Sequence, residues 1–130
     1  MLIPLFSDSI SCGFLSPAED YREGELNLHE HLIAKPSATF FVRAQGDSMV
    51  GAGIHPGDLL IIDRSITAQH NHIVVAVVNG EFTLKRLIKR GGGEIWLHPE
   101  NNKYQPFKIE AEMDFKIWGV AVHCVHKLLP

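Results

Sequence analysis

Ile73 to Val78 runs without a polar side chain, and Asn79-Gly80 follows at once. Both residues of that dipeptide accept a positive φ, which makes it the strongest short signal for a two-residue hairpin turn. Glu81 to Leu87 is then the return strand, and a chain holding this segment must build antiparallel sheet. The rest of the sequence agrees. Phe40 to Ala44, Asp58 to Asp63, Glu94 to His98, Pro106 to Ile109 and Phe115 to Val125 read as short strands. Turn-forming residues part them, among them Gly91-Gly92-Gly93 and the loop Pro99-Glu100-Asn101-Asn102. The unbroken apolar character of Ile73 to Val78 predicts a strand buried on both faces. One segment reads as helix, Asn27 to Ala34. Asn27 caps it with Glu30 three residues on, Leu28 and Leu32 share a face, and Pro36 stops it. The fold class is mainly β, antiparallel, with one short helix.

A chain of 130 residues with 45% hydrophobic content suffices for one domain with a core. Residues 1–25 are rich in Ser, Asp, Gly, Pro and Glu and keep neither a helical nor a strand period, so they predict an extended N-terminal arm. Residues 26–130 are the β-rich domain. The formal net charge is −3 with Lys and Arg scattered, so no basic stripe argues for direct, sequence-specific nucleic-acid binding. No apolar run approaches the length of a membrane span. Met1 to Phe6 lacks a charged lead and is broken by Pro4, unlike a secretory signal. Cys12 and Cys124 are then expected as reduced thiols in a cytoplasm.

Chemistry concentrates between two of the strands. Gly46-Asp47-Ser48-Met49-Val50-Gly51-Ala52-Gly53-Ile54-His55-Pro56-Gly57 holds four glycines, which allow sharp bends and close approach of another backbone. A serine on such a bend presents its hydroxyl and neighbouring N–H groups to one point, as a nucleophile with an oxyanion hole requires. An ordinary turn serine is the plainer reading of Ser48. Lys85, on the hairpin's return strand, shares a face with Glu81, Thr83 and Leu87. A strand lysine is commonly a solvated outer-face residue. As a general base it would need its pKa to fall from about 10.4 toward neutrality, which burial among aliphatic strands supplies. Thr83 on the same face is placed to hydrogen-bond a neutral amine. Ser and Lys form a known variant of the serine nucleophile arrangement.

Other chemistries fit less well. Gly46-Asp47-Ser48 also opens an esterase motif, but no Asp is followed three positions later by His. Val50 stands where Gly-x-Ser-x-Gly needs its second glycine. The pairs His29/His31 and His70/His72 invite a metal, yet no carboxylate or cysteine cluster completes a site at a useful spacing. Ile33 occupies the place of the second histidine in a His-Glu-x-x-His motif, and His98-Pro99-Glu100 lacks the cysteines of a zinc deaminase. No metal site and no cofactor are expected.

The ordered set Gly46-Asp47-Ser48-Met49, Gly57-Asp58-Leu59-Leu60 and Asn79-Gly80-Glu81-Phe82-Thr83-Leu84-Lys85 resembles the LexA/UmuD family of self-cleaving serine peptidases. Pro4-Leu5-Phe6-Ser7-Asp8, Cys12-Gly13-Phe14, Pro36-Ser37-Ala38-Thr39 and Ile66-Thr67-Ala68 extend the likeness along nearly the whole chain, to the UmuD side of the family. The resemblance implies the antiparallel fold of the family's C-terminal domain. It implies Ser48 as nucleophile, Lys85 as general base, the backbone N–H groups of Ser48 and Met49 as oxyanion donors, and self-cleavage at Cys12-Gly13. It also implies a RecA–DNA filament as trigger, a homodimer, and a UmuC-type error-prone polymerase as partner of the cleaved form. The segment before Cys12 is shorter than is usual for UmuD. No DNA-binding domain stands ahead of it, so a repressor role is not expected. Two rivals remain: a Ser-Lys protease acting on other chains, and a non-cleaving polymerase-binding module.

Overall fold

The computed structural model describes residues 1–6, 10, 12–13 and 22–130. They fall into two units, Met1–Ala34 and Lys35–Pro130. The first unit pairs β1 (Leu2–Phe6) antiparallel with β2 (Arg22–Asn27), with Pro4 opposite Glu25. β1 and most of β2 lie within residues 1–25, read from sequence as an extended arm without a strand period. Their period was hidden by Pro4, tolerated where a strand has one partner only, by Gly24 at φ 145°, and by a bulge between Leu5 and Phe6. The remainder of the expected arm, residues 7–9, 11 and 14–21, lies outside the described residues.

Helix α1 (Leu28–Leu32) follows β2 directly. Its start is as expected, since the Asn27 side chain accepts the Glu30 N–H at 3.3 Å. It stops two residues sooner than Ala34 because Ile33 is already extended at φ −118°. Pro36 does more than end the helix: it opens a short 3-10 turn, Pro36–Ala38.

The second unit is one seven-stranded antiparallel sheet. Its strands are β3 (Thr39–Arg43), β4 (Leu59–Asp63), β5 (Ile73–Val78), β6 (Glu81–Lys89), β7 (Ile95–His98), β8 (Phe107–Lys108) and β9 (Phe115–Val125). They lie in the order β3-β4-β9-β5-β6-β7-β8. The β5–β6 hairpin turns on Asn79 (φ 49°) and Gly80 (φ 83°), and Val78 pairs with Glu81. Strand β5 lies between β9 and β6 and serves two cores, as its apolar run demands. Val75 joins Met49, Ile54, Leu60 and Ile62. Its neighbours Val74 and Ala76 point the other way and join Leu87, Leu97 and Val120. Full burial of a side chain such as Leu60 or Leu87 contributes roughly 1.5–3 kcal/mol. Among the described residues no helix is long and apolar enough to cross a membrane.

Candidate active site

The glycine-rich loop hangs between β3 and β4. Its neck is closed by backbone bonds from Ala44 N–H to Asp58 O at 2.8 Å and from Gly57 N–H to Ala44 O at 2.9 Å. Arg43 adds a side-chain bond to Gly57 O at 2.9 Å. Beyond the neck, the loop buries its own apolar residues, Met49 (3% exposed) and Ile54 (6%), in the core shared with Val75. Burial of these flanking side chains fixes the loop on the sheet and leaves Ser48 beside it.

A second loop, after β7, holds the serine segment by its backbone. Glu100 N–H donates to Ser48 O at 2.7 Å, and Gly51 N–H donates to Glu100 O at 2.7 Å. A Cβ on Gly51 would stand 2.5 Å from that carbonyl oxygen, so glycine is required here by the close approach of two backbones. The Asn101 amide donates to Asp47 O at 2.9 Å, and the Tyr104 hydroxyl donates to the Asp47 carboxylate, a bond that, with the carboxylate's charge, pushes the phenol pKa up. Arg86 on β6 ties the Glu100 side chain to the sheet. Glu100, Asn101 and Tyr104 were not singled out from sequence. The partners lie 54 and 57 positions apart in the bonds of Asn101 and Tyr104, and no local pattern links them.

Lys85 comes to Ser48 from the opposite side, with Nζ 3.2 Å from Ser48 Oγ. The same nitrogen donates to Thr83 Oγ1 at 2.9 Å and to Leu84 O at 3.1 Å. Three contacts satisfy an ammonium with three N–H groups; in the neutral amine, two N–H groups serve Thr83 and Leu84 and the lone pair is left for Ser48. No carboxylate is among its partners, and burial lowers the Lys85 pKa from its ordinary value. Ser48, Lys85 and Thr83 are thus brought together as the sequence suggested. They line a groove of about 420 Å³ between the end of β3 and β6, with Val42, Ala44 and Ile54 also in its wall. Cys12 and Gly13 are exposed, and Cys12 is a free thiol.

Residues 4–122 match the Peptidase S24-like family. The chain belongs to the S24 peptidase family. It is 46% identical to Protein MucA of Salmonella typhimurium over 122 residues, 93% of this chain and 82% of that one. It is 44% identical over 124 residues to Protein ImpA of Salmonella typhimurium, covering 95% and 83% of the two chains. A LexA repressor from Acidithiobacillus ferrooxidans is 44% identical over 108 residues, 81% of this chain but 52% of the repressor. The LexA/UmuD likeness read from the glycine-rich loop and hairpin therefore holds for the family, a family of serine peptidases. Within the S24 frame, Ser48 on its pinned loop and the half-buried Lys85 are the candidates for the peptidase centre.

Proposed function

We propose that this chain is an SOS-response protein of UmuD type that cuts itself at Cys12-Gly13 through a Ser48–Lys85 dyad. Residues 1–25 form the segment that carries the scissile bond, and residues 26–130 the peptidase-like domain. The observation that carries the proposal is the 3.2 Å approach of Lys85 Nζ to Ser48 Oγ in a half-buried setting that lowers the lysine pKa. Neutral Lys85 takes the Ser48 hydroxyl proton as Oγ attacks the Cys12 carbonyl carbon. The N–H groups of Ser48 and Met49 receive the oxyanion, while the Ser48 carbonyl stays bound to the Glu100 N–H. The lysine ammonium returns its proton to the departing Gly13 amine, and water then hydrolyses the ester on Ser48. Thr83 and the Leu84 carbonyl hold the amine so that its lone pair faces Ser48.

The LexA/UmuD resemblance supplies the setting. A RecA–DNA filament favours the cleavage-competent arrangement, a population shift with no new chemistry. The cleaved form serves as a homodimeric accessory subunit of a UmuC-type translesion polymerase in the cytoplasm. A module that only grips the polymerase would have no use for a desolvated lysine against a serine. The test is Ser48→Ala, incubated with RecA filament and weighed by mass spectrometry. The variant should fold and stay intact while the parent chain yields fragments ending at Cys12. Cleavage of the alanine variant would remove the dyad.

A further inference from the structure

On the β4–β9 side of the second unit, three metal-ligating side chains converge, His55, Asp58 and His126, and Cys124 lies beside Asp58. Asp58 immediately precedes β4 and is 3% exposed. Its Oδ1 faces His126 Nδ1 in direct hydrogen-bond contact, and its Oδ2 lies 3.3 Å from Cys124 Sγ and 3.9 Å from His55 Nδ1. The ligand atoms of His55, Asp58 and His126 lie within 4.8 Å of one another. The two imidazoles stand 5.0 Å apart, centroid to centroid. Asp58 Oδ2 also accepts the His55 backbone N–H at 2.8 Å, an outer bond of the kind that orients a ligating carboxylate.

We propose that His55, Asp58, Cys124 and His126 form a binding site for a zinc-class divalent metal ion. Two imidazole nitrogens, one thiolate and one carboxylate are a donor set for tetrahedral zinc. Bond lengths of about 2.0–2.3 Å place tetrahedral ligand atoms roughly 3.3–3.7 Å apart. Measured from Asp58, the separations to Cys124 and His55 are close to that range, and side-chain shifts of about an ångström open the Asp58–His126 contact to it and bring the Cys124 thiol to the ion. His55 and His126 are 49% and 46% exposed, so an ion has an entry path. The other histidine pair on this unit differs: His70 and His72 accept backbone N–H groups of Lys89 and Gln69 with their Nδ1 atoms. A bound ion would fasten the far end of the Ser48 loop, at His55, to the end of β9. The site is separate from the dyad, so it stands or falls apart from the proposed cleavage.

The test uses the full chain, stripped with chelator, reloaded with Zn²⁺ or Co²⁺ and desalted. One metal per chain is expected, with a thiolate-to-cobalt absorption band and a higher melting temperature. Cys124→Ser should abolish the band, whereas Cys12→Ser should keep it. His126→Ala should weaken Zn²⁺ binding about a hundredfold or more, since even outer partners are worth 10–100-fold. Both Cys124 and His126 are exposed, so these variants keep the fold. Failure to retain metal, or retention unchanged by Cys124→Ser together with His126→Ala, would overturn the site.

Discussion

Gly51→Ala tests whether the loop after β7 holds the nucleophile in place. The added Cβ would stand 2.5 Å from Glu100 O and 3.2 Å from its carbonyl carbon, where real contacts essentially never fall under 3.0 Å. The obstructing atoms are backbone, so no side-chain rotation relieves them. The carbonyl must withdraw by about 0.5 Å, which stretches the 2.7 Å bond from Gly51 N–H. Overpacking of this kind costs about 1–3 kcal/mol, and a weakened hydrogen bond up to about 1 more. Loss of glycine's unfolded-state freedom offsets about 0.4–1 kcal/mol. The net is roughly 1–3 kcal/mol, or about 3–18 °C of melting temperature for a domain of this size. Glu100 N–H also holds Ser48 O, so the displacement reaches the nucleophile. A 1 Å misplacement costs about a hundredfold in rate, and half of that distance roughly tenfold. Gly53→Ala is the control. Its φ is 83° but nothing lies within 4 Å, so it should lose about 1–2 kcal/mol with a smaller rate effect. Urea denaturation and fragment formation at alkaline pH measure both quantities. A Gly51→Ala protein with parental midpoint and parental rate would refute the pinning of Ser48 by Glu100.

Lys85→Met should abolish cleavage yet preserve or raise stability near neutral pH, as followed by urea denaturation, because a desolvated ammonium is removed. The sign follows from a folded pKa below the unfolded one: the unfolded chain binds more protons, so stability rises with pH from the folded pKa toward 10.5. That rise should be absent in Lys85→Met. Asp63 behaves oppositely at acid pH. The Ser65 hydroxyl at 2.6 Å, the Ser65 N–H at 2.8 Å and the Lys35 charge hold its carboxyl below the usual range. Its contribution is present above the ordinary pKa of 3.8 and lost as pH falls through the lower folded value, and Asp63→Asn should flatten that part of an acid-unfolding curve.

What the sequence made legible was local. Asn79-Gly80 specified the β5–β6 turn, and Phe115–Val125 emerged as β9 with the expected bounds, because turn chemistry and apolar runs act over a few residues. Ser48 and Lys85 were paired only through the Ser-Lys precedent and the LexA/UmuD resemblance, since a turn serine and a solvated strand lysine were their plainer readings. Contacts that depend on the path of the chain were not. The Pro99–Asn102 segment reads as an ordinary loop, although Glu100 holds the serine backbone. Asp58 and His126 are 68 positions apart, and only the β4–β9 pairing makes them neighbours. Histidine spacing along the chain therefore gave no sign of the His55–Asp58–His126 cluster. The β1–β2 pair escaped notice because Pro4 and Gly24 break the alternation that announces a strand.

The central claim is that a neutral Lys85 activates Ser48, and the pH dependence of spontaneous cleavage addresses it most directly. The rate of fragment formation would be followed by mass spectrometry from about pH 6 to 11, with Ser48→Ala as the blank. Below the lysine pKa, each pH unit raises the neutral fraction about tenfold. The dyad predicts a rate that climbs with alkalinity and levels off at a pKa below the ordinary lysine value, with the new termini at Cys12 and Gly13. A rate that peaks near pH 6.5 and falls above it would assign the proton transfer to a histidine and contradict the role of Lys85.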